Sequence, residues 1–328
     1  MPAGNAPLVS VVIATYNRPA YLRGAIASVV NGDYRNVRII VTDDSSSEAN
    51  RQIAESFADP RIVYHCNETR LRIAANHIQA FRNLASGEFV AILNDDDEWE
   101  PAFLSKLVPI LLDNPDVVLA FSDHYVMDEQ GRIDITATDK NTRRWRRNVL
   151  APGLHQPFWR CLLDQSVPVG QASVIRRAAI DWQDFPVEVG AVWDPWLGYL
   201  ACRTGKACYY LPERLTRYRV HGDSWTATAS EDGSFGMILL YSRLMAMPEL
   251  AAMRREIEVR CAEAYRLHGL FLLQARRAPE ARRDLREAIT LGGLTPDSAF
   301  AFALAAMPEA LGAAALRALR RARRRWRG

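Results

Sequence analysis

The sequence has few cysteines, and none of them form a Cys-x-x-Cys pair. Five cysteines occur among 328 residues, at positions 66, 161, 202, 208 and 261. An odd number without close pairs argues against a disulfide framework and against a zinc site built from thiolates. We therefore expect a protein of the reducing cytoplasm.

Long apolar runs are also missing. No stretch reaches the roughly 18 uncharged apolar residues that a membrane-spanning helix requires. The first apolar run, Val9 to Ala14, has no cationic stretch before it and is too short for the apolar region of a signal peptide. We expect a soluble protein.

Two common nucleotide-binding signatures are absent. No Gly-x-Gly-x-x-Gly follows the first apolar run, and no Gly-x-x-x-x-Gly-Lys-Ser/Thr occurs anywhere. Dinucleotide redox chemistry and P-loop hydrolysis therefore lose their main support.

Acidic residues are absent from the C-terminal tail, where residues 317–328 carry seven arginines. Removing those charges from the net charge of +3 leaves about −4 for the rest, which disfavours nucleic acid as a partner. An apolar face of the tail helix suits peripheral contact with an anionic membrane, although a solvated tail is the simpler alternative. That face comprises Leu311, Ala315, Leu319, Ala322 and Trp326.

Apolar β-branched runs alternate with helical patterns in the first hundred residues. We predict parallel strands at Leu8–Ala14, Val37–Val41 and Phe89–Leu93, and helices at Ala20–Val30, Asn50–Phe57 and Ile73–Leu84. This alternation indicates an α/β fold with a mostly parallel sheet and helices on both faces. From about Glu249 onward, Ala, Leu and Arg at helical spacing predict three or four further helices.

Polar clusters follow each predicted strand, and the carboxyl ends of parallel strands meet at one edge of a sheet. The clusters are Thr15-Tyr16-Asn17-Arg18, Asp43-Asp44-Ser45 and Asn94-Asp95-Asp96-Asp97. Carboxylates are the ligands that Mg²⁺ and Mn²⁺ prefer, so the last cluster predicts a divalent cation site. An acidic turn exposed to solvent is the alternative.

The order and spacing of these motifs resemble those of family 2 glycosyltransferases, which have the GT-A fold. The resemblance covers about the first 105 residues and rests on VSVVIATYNR, IIVTDDSS and ASGEFVAILNDDD. It implies a Rossmann-like GT-A domain and a nucleotide-sugar donor. The positions it assigns to the nucleotide are Thr15, Tyr16, Arg18, Asp43, Asp44, Arg72 and Asp95, with Arg70 as the alternative to Arg72.

The resemblance also implies a metal site and a catalytic base. Asp96 occupies the last position of the family's Asp-x-Asp motif and is the expected ligand, whereas Asn94 replaces the first acid. His221, in a Gly-containing polar loop beside Arg217 and Arg219, matches the family's closing motif and is the expected third ligand. Asp194, followed by Pro195, reads as a helix N-cap and as the base, with Glu188 in reserve.

These expectations divide the chain into a nucleotide-sugar-binding half at 1–105, an acceptor-binding half at 106–232 and a helical extension at 233–328. A basic surface loop is predicted between Thr138 and Phe158. The predicted activity is a metal-dependent (Mn²⁺ or Mg²⁺), inverting transfer of a sugar from a UDP- or dTDP-sugar to a hydroxyl acceptor. A glycan, a lipid-linked intermediate and a small molecule all fit as acceptor. A non-catalytic sugar-nucleotide-binding module and a nucleotidyltransferase remain as alternatives.

Overall fold

The computed structural model describes residues 6–222 and 230–325. The chain forms two compact units, Met1–Val187 with Trp193–Ser224, and Glu188–Val192 with Trp225–Gly328. The first is an α/β unit and the second is helical. The predicted division near residue 105 stays a prediction.

Within residues 6–222, nine strands form one sheet in the order β3-β2-β1-β4-β8-β6-β9-β5, and β7 also pairs with β9. The first four strands are mutually parallel neighbours, whereas β8 is antiparallel to both β4 and β6. The strands are β1 Val9–Thr15, β2 Val37–Asp43, β3 Ile62–Cys66, β4 Phe89–Ile92, β5 Glu98–Trp99, β6 Val117–Met127, β7 Gly153–His155, β8 Ser173–Arg176 and β9 Ala207–Arg219.

Helices connect these strands and cover the sheet. They are α1 Pro19–Val30, α2 Ala49–Glu55, α3 Ile73–Gln79, α4 Phe103–Asp113, α5 Ile135–Arg144, α6 Trp159–Leu163, α7 Val169–Ala172 and α8 Trp193–Cys202. A π-helical turn at Ala80–Leu84 continues α3, so the predicted helix at 73–84 is confirmed in extent. The predicted strands and helices of the first hundred residues all occur within a few residues of their expected bounds.

The main core lies where α1 and α4 pack on alternate residues of the central strands. Val9, Val11 and Ile13 of β1 are fully buried and belong to the same cluster as Ile26 of α1 and Leu107 of α4. Strands this apolar on both faces are typical of a parallel sheet covered by helices on each side.

The structure corrects the expected basic loop between Thr138 and Phe158. Most of the first part is α5, which begins after Asp134, whose side chain accepts a hydrogen bond from the Ala137 N–H. Arg147 is buried and pairs with Asp123 at 2.7 Å. The run of basic residues looked like a solvated loop because the sequence did not show the buried carboxylate opposite it. Strand β3 was also missed, because its residues are all only half-buried and include polar ones.

The second unit contains helices packed around a small apolar core. They are α9 Glu231–Met245, α10 Arg254–Gln274, α11 Ala278–Gly292, α12 Pro296–Ala306 and α13 Glu309–Arg325. Leu273, Leu285 and Leu304 are part of that core, and His268 Nδ1 lies 2.5 Å from an Asp284 carboxylate oxygen between α10 and α11. The helices predicted after Glu249 are thus confirmed.

Only part of the expected apolar face of the C-terminal tail lies within the described residues. Leu311 is exposed and Ala315 is half-buried against the core of the helical unit. The side chains of Leu319 and Ala322, and the whole of Trp326, lie outside the described residues. Among the described residues, no helix is long and apolar enough to cross a membrane. Peripheral membrane contact stays a prediction.

Candidate active site

The three polar turns predicted from the sequence meet at the carboxyl edge of β1, β2 and β4. Thr15 at the end of β1 donates a hydrogen bond to Asp95 at 2.8 Å. Asn50 of α2 ties the first two turns together, because its Nδ2 donates to Thr15 of the first turn at 3.4 Å and to Ser45 of the second at 3.0 Å. The parallel register of β1 with both neighbours brings these segments together.

Asp96 lies at the centre of a charged cluster. Arg18 Nη1 is 2.9 Å from one Asp96 carboxylate oxygen and 3.4 Å from an Asp95 oxygen. His221 Nε2 lies 3.0 Å from the same Asp96 oxygen, and the His221 ring packs 4.9 Å from the ring of Tyr21. The structure therefore brings together the two expected metal ligands, which are far apart in the sequence.

Burial and crowding disfavour negative charge on the neighbouring aspartates. Burial, followed by the charge of Asp96, raises the pKa of Asp95 to about 6, against the partial compensation of Arg18 and the Thr15 hydroxyl. The same two causes raise the pKa of Asp97 well above its usual range. A site that holds several carboxylates at this cost is suited to binding positive charge.

Asp97 and Arg219 hold this turn in place. The Asp97 carboxylate accepts hydrogen bonds from the Arg219 backbone N–H at 2.8 Å and from the Asn94 side chain at 2.9 Å. The Arg219 guanidinium donates to the Asp96 carbonyl oxygen and to Glu98, each at 2.8 Å. Arg219 therefore positions the aspartate turn, a role that the sequence pattern did not reveal.

Asp43 and Asp44 lie in a second, buried polar cluster on the other side of β1. Asp43 accepts from the Tyr64 hydroxyl at 2.6 Å. Asp44 accepts from Asn67 Nδ2 and from the Arg72 backbone N–H, both at 2.7 Å. The Asp44 carboxylate thus orders the segment that leads into α3.

Arg72 has an unusual backbone. Its φ of 69° and ψ of 170° fall in a region that only glycine adopts without strain, and the bond to Asp44 helps to hold it there. The Arg72 side chain is exposed, whereas the neighbouring Arg70 guanidinium lies 3.9 Å from the ring centroid of Tyr16. Arg70 and Tyr16 therefore form one surface patch. The choice between Arg70 and Arg72 as the nucleotide contact stays a prediction.

Asp194 lies in the first turn of α8. The expectation that it caps this helix is wrong, because Trp193 already has helical φ and ψ of −57° and −37°. Burial raises the pKa of Asp194 to about 7. The adjacent Trp193 ring stacks on His77 of α3 at 3.8 Å, which fixes the start of α8 beside the sheet edge.

Gly170 links α8 to the aspartate turn. A Cβ at Gly170 would lie 3.1 Å from the Trp193 ring and 3.6 Å from Asn94 Oδ1. Glycine here therefore allows α7, the start of α8 and the aspartate turn to approach closely. Neither His77 nor Gly170 carried a signal in the sequence, because each acts only through contacts distant along the chain.

The residues present fit a hard divalent cation. Asp96 offers a carboxylate oxygen and His221 a ring nitrogen within 3.0 Å of each other, and Asp95 is adjacent. The Arg18 guanidinium already lies against both carboxylates. Among residues 6–222 and 230–325, no group of three or more His, Cys, Asp and Glu side chains is arranged to hold a metal by itself. A cation here would therefore need oxygen ligands from a bound substrate or water.

An open cleft of about 570 Å³ lies further along the same edge of the sheet. Strand β6 runs in the same direction as β4, and its residues beyond Phe121 extend past the end of the pairing with β8. The cleft walls combine aromatic rings with a buried ion pair and are formed by Asp123, Tyr125, Thr142, Arg147, Asn148, Leu150, Pro152, Tyr210, Pro212 and Arg214.

Comparison with known proteins supports the reading of these motifs. The model of the family described as Glycosyl transferase family 2 matches residues 10–177. An uncharacterized glycosyltransferase of Methanocaldococcus jannaschii, MJ1057, is 38% identical over 131 residues, which make up 39% of this chain and 45% of that relative. The aligned part thus spans less than half the length of that relative.

Two solved structures share the fold. The first is the crystal structure of Staphylococcus aureus TarS 1–349 in complex with UDP-GlcNAc, which matches with a TM-score of 0.64 at 17% identity. The superposition covers 90% of this chain and 83% of the TarS chain. The second is the mannosyltransferase PcManGT of Pyrobaculum calidifontis in complex with GDP-Man and Mn²⁺, which matches with a TM-score of 0.57 at 18% identity. The superposition covers 90% of this chain and 79% of the PcManGT chain. The predicted GT-A architecture with added C-terminal helices is confirmed.

Proposed function

The chain belongs to glycosyl transferase family 2, and from this premise we propose that it is a metal-dependent, inverting enzyme that transfers a sugar from a nucleoside diphosphate to a hydroxyl acceptor. The observation that carries the proposal is the convergence of Asp96, His221 and Asp95 at the carboxyl edge of the sheet. A site with this charge and this donor set suits the cation and diphosphate of a nucleotide sugar.

The nucleotide would lie across the turns after β1 and β2. Tyr16 is exposed and offers a flat apolar face, while Thr15, Asp43 and Asp44 are buried at the ends of the same two strands. A carboxylate that reads a pyrimidine N–H favours UDP or dTDP as the carrier. The UDP-GlcNAc complex of TarS supports the first of these, and the GDP-Man complex of PcManGT keeps GDP as the competitor to test.

Asp96 and His221 would hold the cation, with Arg18 and Asp95 beside it. The bound cation supplies charge that stabilises the departing diphosphate. Asp194 would remove the proton from the attacking hydroxyl, because a carboxyl with a pKa of about 7 is partly ionised at neutral pH and still basic enough to take a proton. Direct attack by the acceptor forms no covalent sugar–enzyme intermediate and inverts the anomeric centre.

The acceptor would be a carbohydrate held in the cleft beyond β6. Tyr125 is half-buried in its wall, with the Arg214 guanidinium 5.6 Å from its ring centroid and 2.6 Å from Asp139. The buried Arg147 pairs with Asp123 at 2.7 Å, which fixes a guanidinium and a carboxylate side by side. Rings beside fixed polar groups suit a sugar, whose hydroxyls bind the polar groups and whose C–H faces pack on the rings.

The test is calorimetric binding of UDP, dTDP and GDP, each with and without Mn²⁺, to the wild type, to Asp96→Ala and to the control Asp116→Ala. Asp116 directly precedes β6, and its side chain is 90% exposed. One diphosphate should bind with metal to the wild type and to the control, and Asp96→Ala should lose that binding. Equal binding without metal, or no binding at all, would remove the metal-dependent mechanism.

A non-catalytic binding module is the second candidate, and the replacement of the first acid of the metal motif by Asn94 favours it. Asn94 donates to Asp97 at 2.9 Å and so acts within the turn. Incubation of the wild type with Mn²⁺ and UDP-, dTDP- and GDP-sugars separates the two candidates. The module is favoured if the sugar nucleotide binds with metal but no nucleoside diphosphate is released, not even by slow hydrolysis. The enzyme is favoured if nucleoside diphosphate is released and Asp194→Asn abolishes that release.

A further inference from the structure

Arg18 lies where a divalent cation would meet the aspartate turn. Its Nη1 is 2.9 Å from Asp96, the same carboxylate oxygen that His221 contacts at 3.0 Å, and 3.4 Å from Asp95. The Arg18 guanidinium therefore neutralises the carboxylates that a metal ion would have to use.

The backbone of Arg18 is fixed, while its side chain can move. Arg18 directly precedes α1, its carbonyl oxygen accepts a hydrogen bond from the Leu22 N–H at 3.0 Å, and the next residue is Pro19. The neighbouring Asn17 N–H donates to Ser45 at 2.7 Å. The Arg18 side chain remains 23% exposed and has a long flexible stem, so a new rotamer of this side chain requires no change in the backbone.

We propose that Arg18 is a displaceable counter-cation that makes metal binding at Asp96 depend on the nucleoside diphosphate. Without a nucleotide, a metal ion must break the ion pairs of Arg18 with Asp96 and Asp95. The Arg18 guanidinium then remains unpaired by these carboxylates beside the divalent charge, which weakens metal binding. With a diphosphate bound, the guanidinium gains phosphate oxygens as new partners, for which its planar donors are well suited. Metal and nucleotide then bind cooperatively, and each raises the affinity of the other by the same factor.

This inference rests on the proposed function for the identity of the second ligand, but its first prediction needs only the metal. Replacing Arg18 with Gln removes the competing charge and leaves a side chain that can still donate a hydrogen bond. Arg18→Gln should therefore bind Mn²⁺ alone more tightly than the wild type, by about tenfold if the displaced pairs contribute what charged hydrogen bonds usually do. Arg18→Lys keeps the charge and should stay close to the wild type.

Arg23→Gln is the matched control. Arg23 lies on the same helix α1, is exposed, and contacts Ser56 at 3.4 Å and the Phe57 ring rather than the aspartate turn. It changes the net charge by the same amount, so it reports any general electrostatic effect on Mn²⁺ binding. Its affinity for Mn²⁺ should equal that of the wild type.

Each full-length protein is titrated with Mn²⁺ while electron paramagnetic resonance measures the free ion. The titration is done without nucleotide and then with saturating UDP, dTDP or GDP. The factor by which the nucleotide tightens Mn²⁺ binding should be the same in the wild type and in Arg23→Gln, and it should fall in Arg18→Gln. Thermal melts at each Mn²⁺ concentration check that every variant is folded and give a second measure of binding.

The proposal is overturned if Arg18→Gln binds Mn²⁺ alone no more tightly than the wild type, or if Arg23→Gln gains the same affinity. If UDP, dTDP and GDP bind to no variant, the proposed function fails, yet the comparison with Mn²⁺ alone still decides on Arg18. A third outcome is that the nucleotide binds with metal, but Arg18→Gln changes neither the affinity for Mn²⁺ alone nor the factor by which the nucleotide tightens Mn²⁺ binding. In that case the proposed function stands and the counter-cation role fails.

Discussion

Replacing Asp194 with Asn should sharply reduce catalysis and should make the protein increasingly more stable than the wild type as the pH rises from about 4 to about 7. Burial raises the pKa of Asp194 from 3.8 to about 7 in the folded protein. The N-terminal end of a helix favours a carboxylate by only about 0.3–1 kcal/mol, whereas a shift of about three pKa units corresponds to about 4 kcal/mol. Burial therefore outweighs the helix dipole at this position.

The sign of the stability effect follows from proton binding. Between about pH 4 and 7 the folded protein keeps a proton on Asp194 that the unfolded chain has lost. The stability that this neutral carboxyl contributes is complete below about pH 4 and is lost as the pH rises to about 7. Since Asn has nearly the same shape and never ionises, the free energy of unfolding of Asp194→Asn should exceed that of the wild type by up to about 4 kcal/mol at pH 8.

The assay is urea unfolding of the wild type and of Asp194→Asn between about pH 4.5 and 8.5, with tryptophan fluorescence as the signal. Six of the eight tryptophans lie at positions 99–196, so the signal reports mainly on the α/β unit. Taking the difference between the two proteins cancels the titration of other groups, such as Asp95. Asp116→Asn, at a side chain that is 90% exposed, should show no such dependence on pH.

Activity provides the second half of the test. The wild-type kcat should rise with pH to a plateau above about 7, because only the ionised carboxylate can accept the proton. Asp194→Asn should lose about 10²- to 10⁴-fold in kcat. A stability difference that is constant from pH 5 to 8, or a rise in kcat centred near pH 4, would contradict the reasoning.

Three further predictions concern other parts of the chain. Arg219→Ala should lower the free energy of unfolding by about 3–5 kcal/mol, because it leaves Glu98 and the aspartate turn without their buried cation; a urea midpoint that stays unchanged would contradict this. Tyr125→Ala should raise the KM for the acceptor at least about tenfold while the KM for the donor stays constant, as steady-state kinetics with each substrate varied would show. Asp284→Ala should destabilise the helical unit by about 1–3 kcal/mol, because His268 Nδ1 loses its partner, and circular dichroism during urea unfolding would reveal the shift.

Much of the fold could be predicted from the sequence because its central strands are unusually clear. The runs VSVVIAT and VRIIVTD are apolar on both faces, which is the pattern of strands buried between two layers of helices. Each run ends directly at its polar turn, so the order of motifs also indicated where the site lies. Strand β3, with the sequence IVYHC, was missed because half-buried edge positions accept polar residues and blur the pattern.

Residue types and the family resemblance together indicated which side chains could carry chemistry, but not which contacts they make. Asp96 and His221 could be chosen as ligands from the motifs, whereas the contact of Arg18 with Asp96 spans 78 residues and that of Arg219 with Asp97 spans 122. Such contacts depend on the order in which β1, β4 and β9 are placed in the sheet, and strand order is not encoded in any local pattern. The sequence by itself therefore determined the central strands and helices of the first hundred residues, the C-terminal helices, the polar turns and the family. Only the tertiary structure decided which charges face each other and how strongly burial shifts them, because both follow from long-range packing.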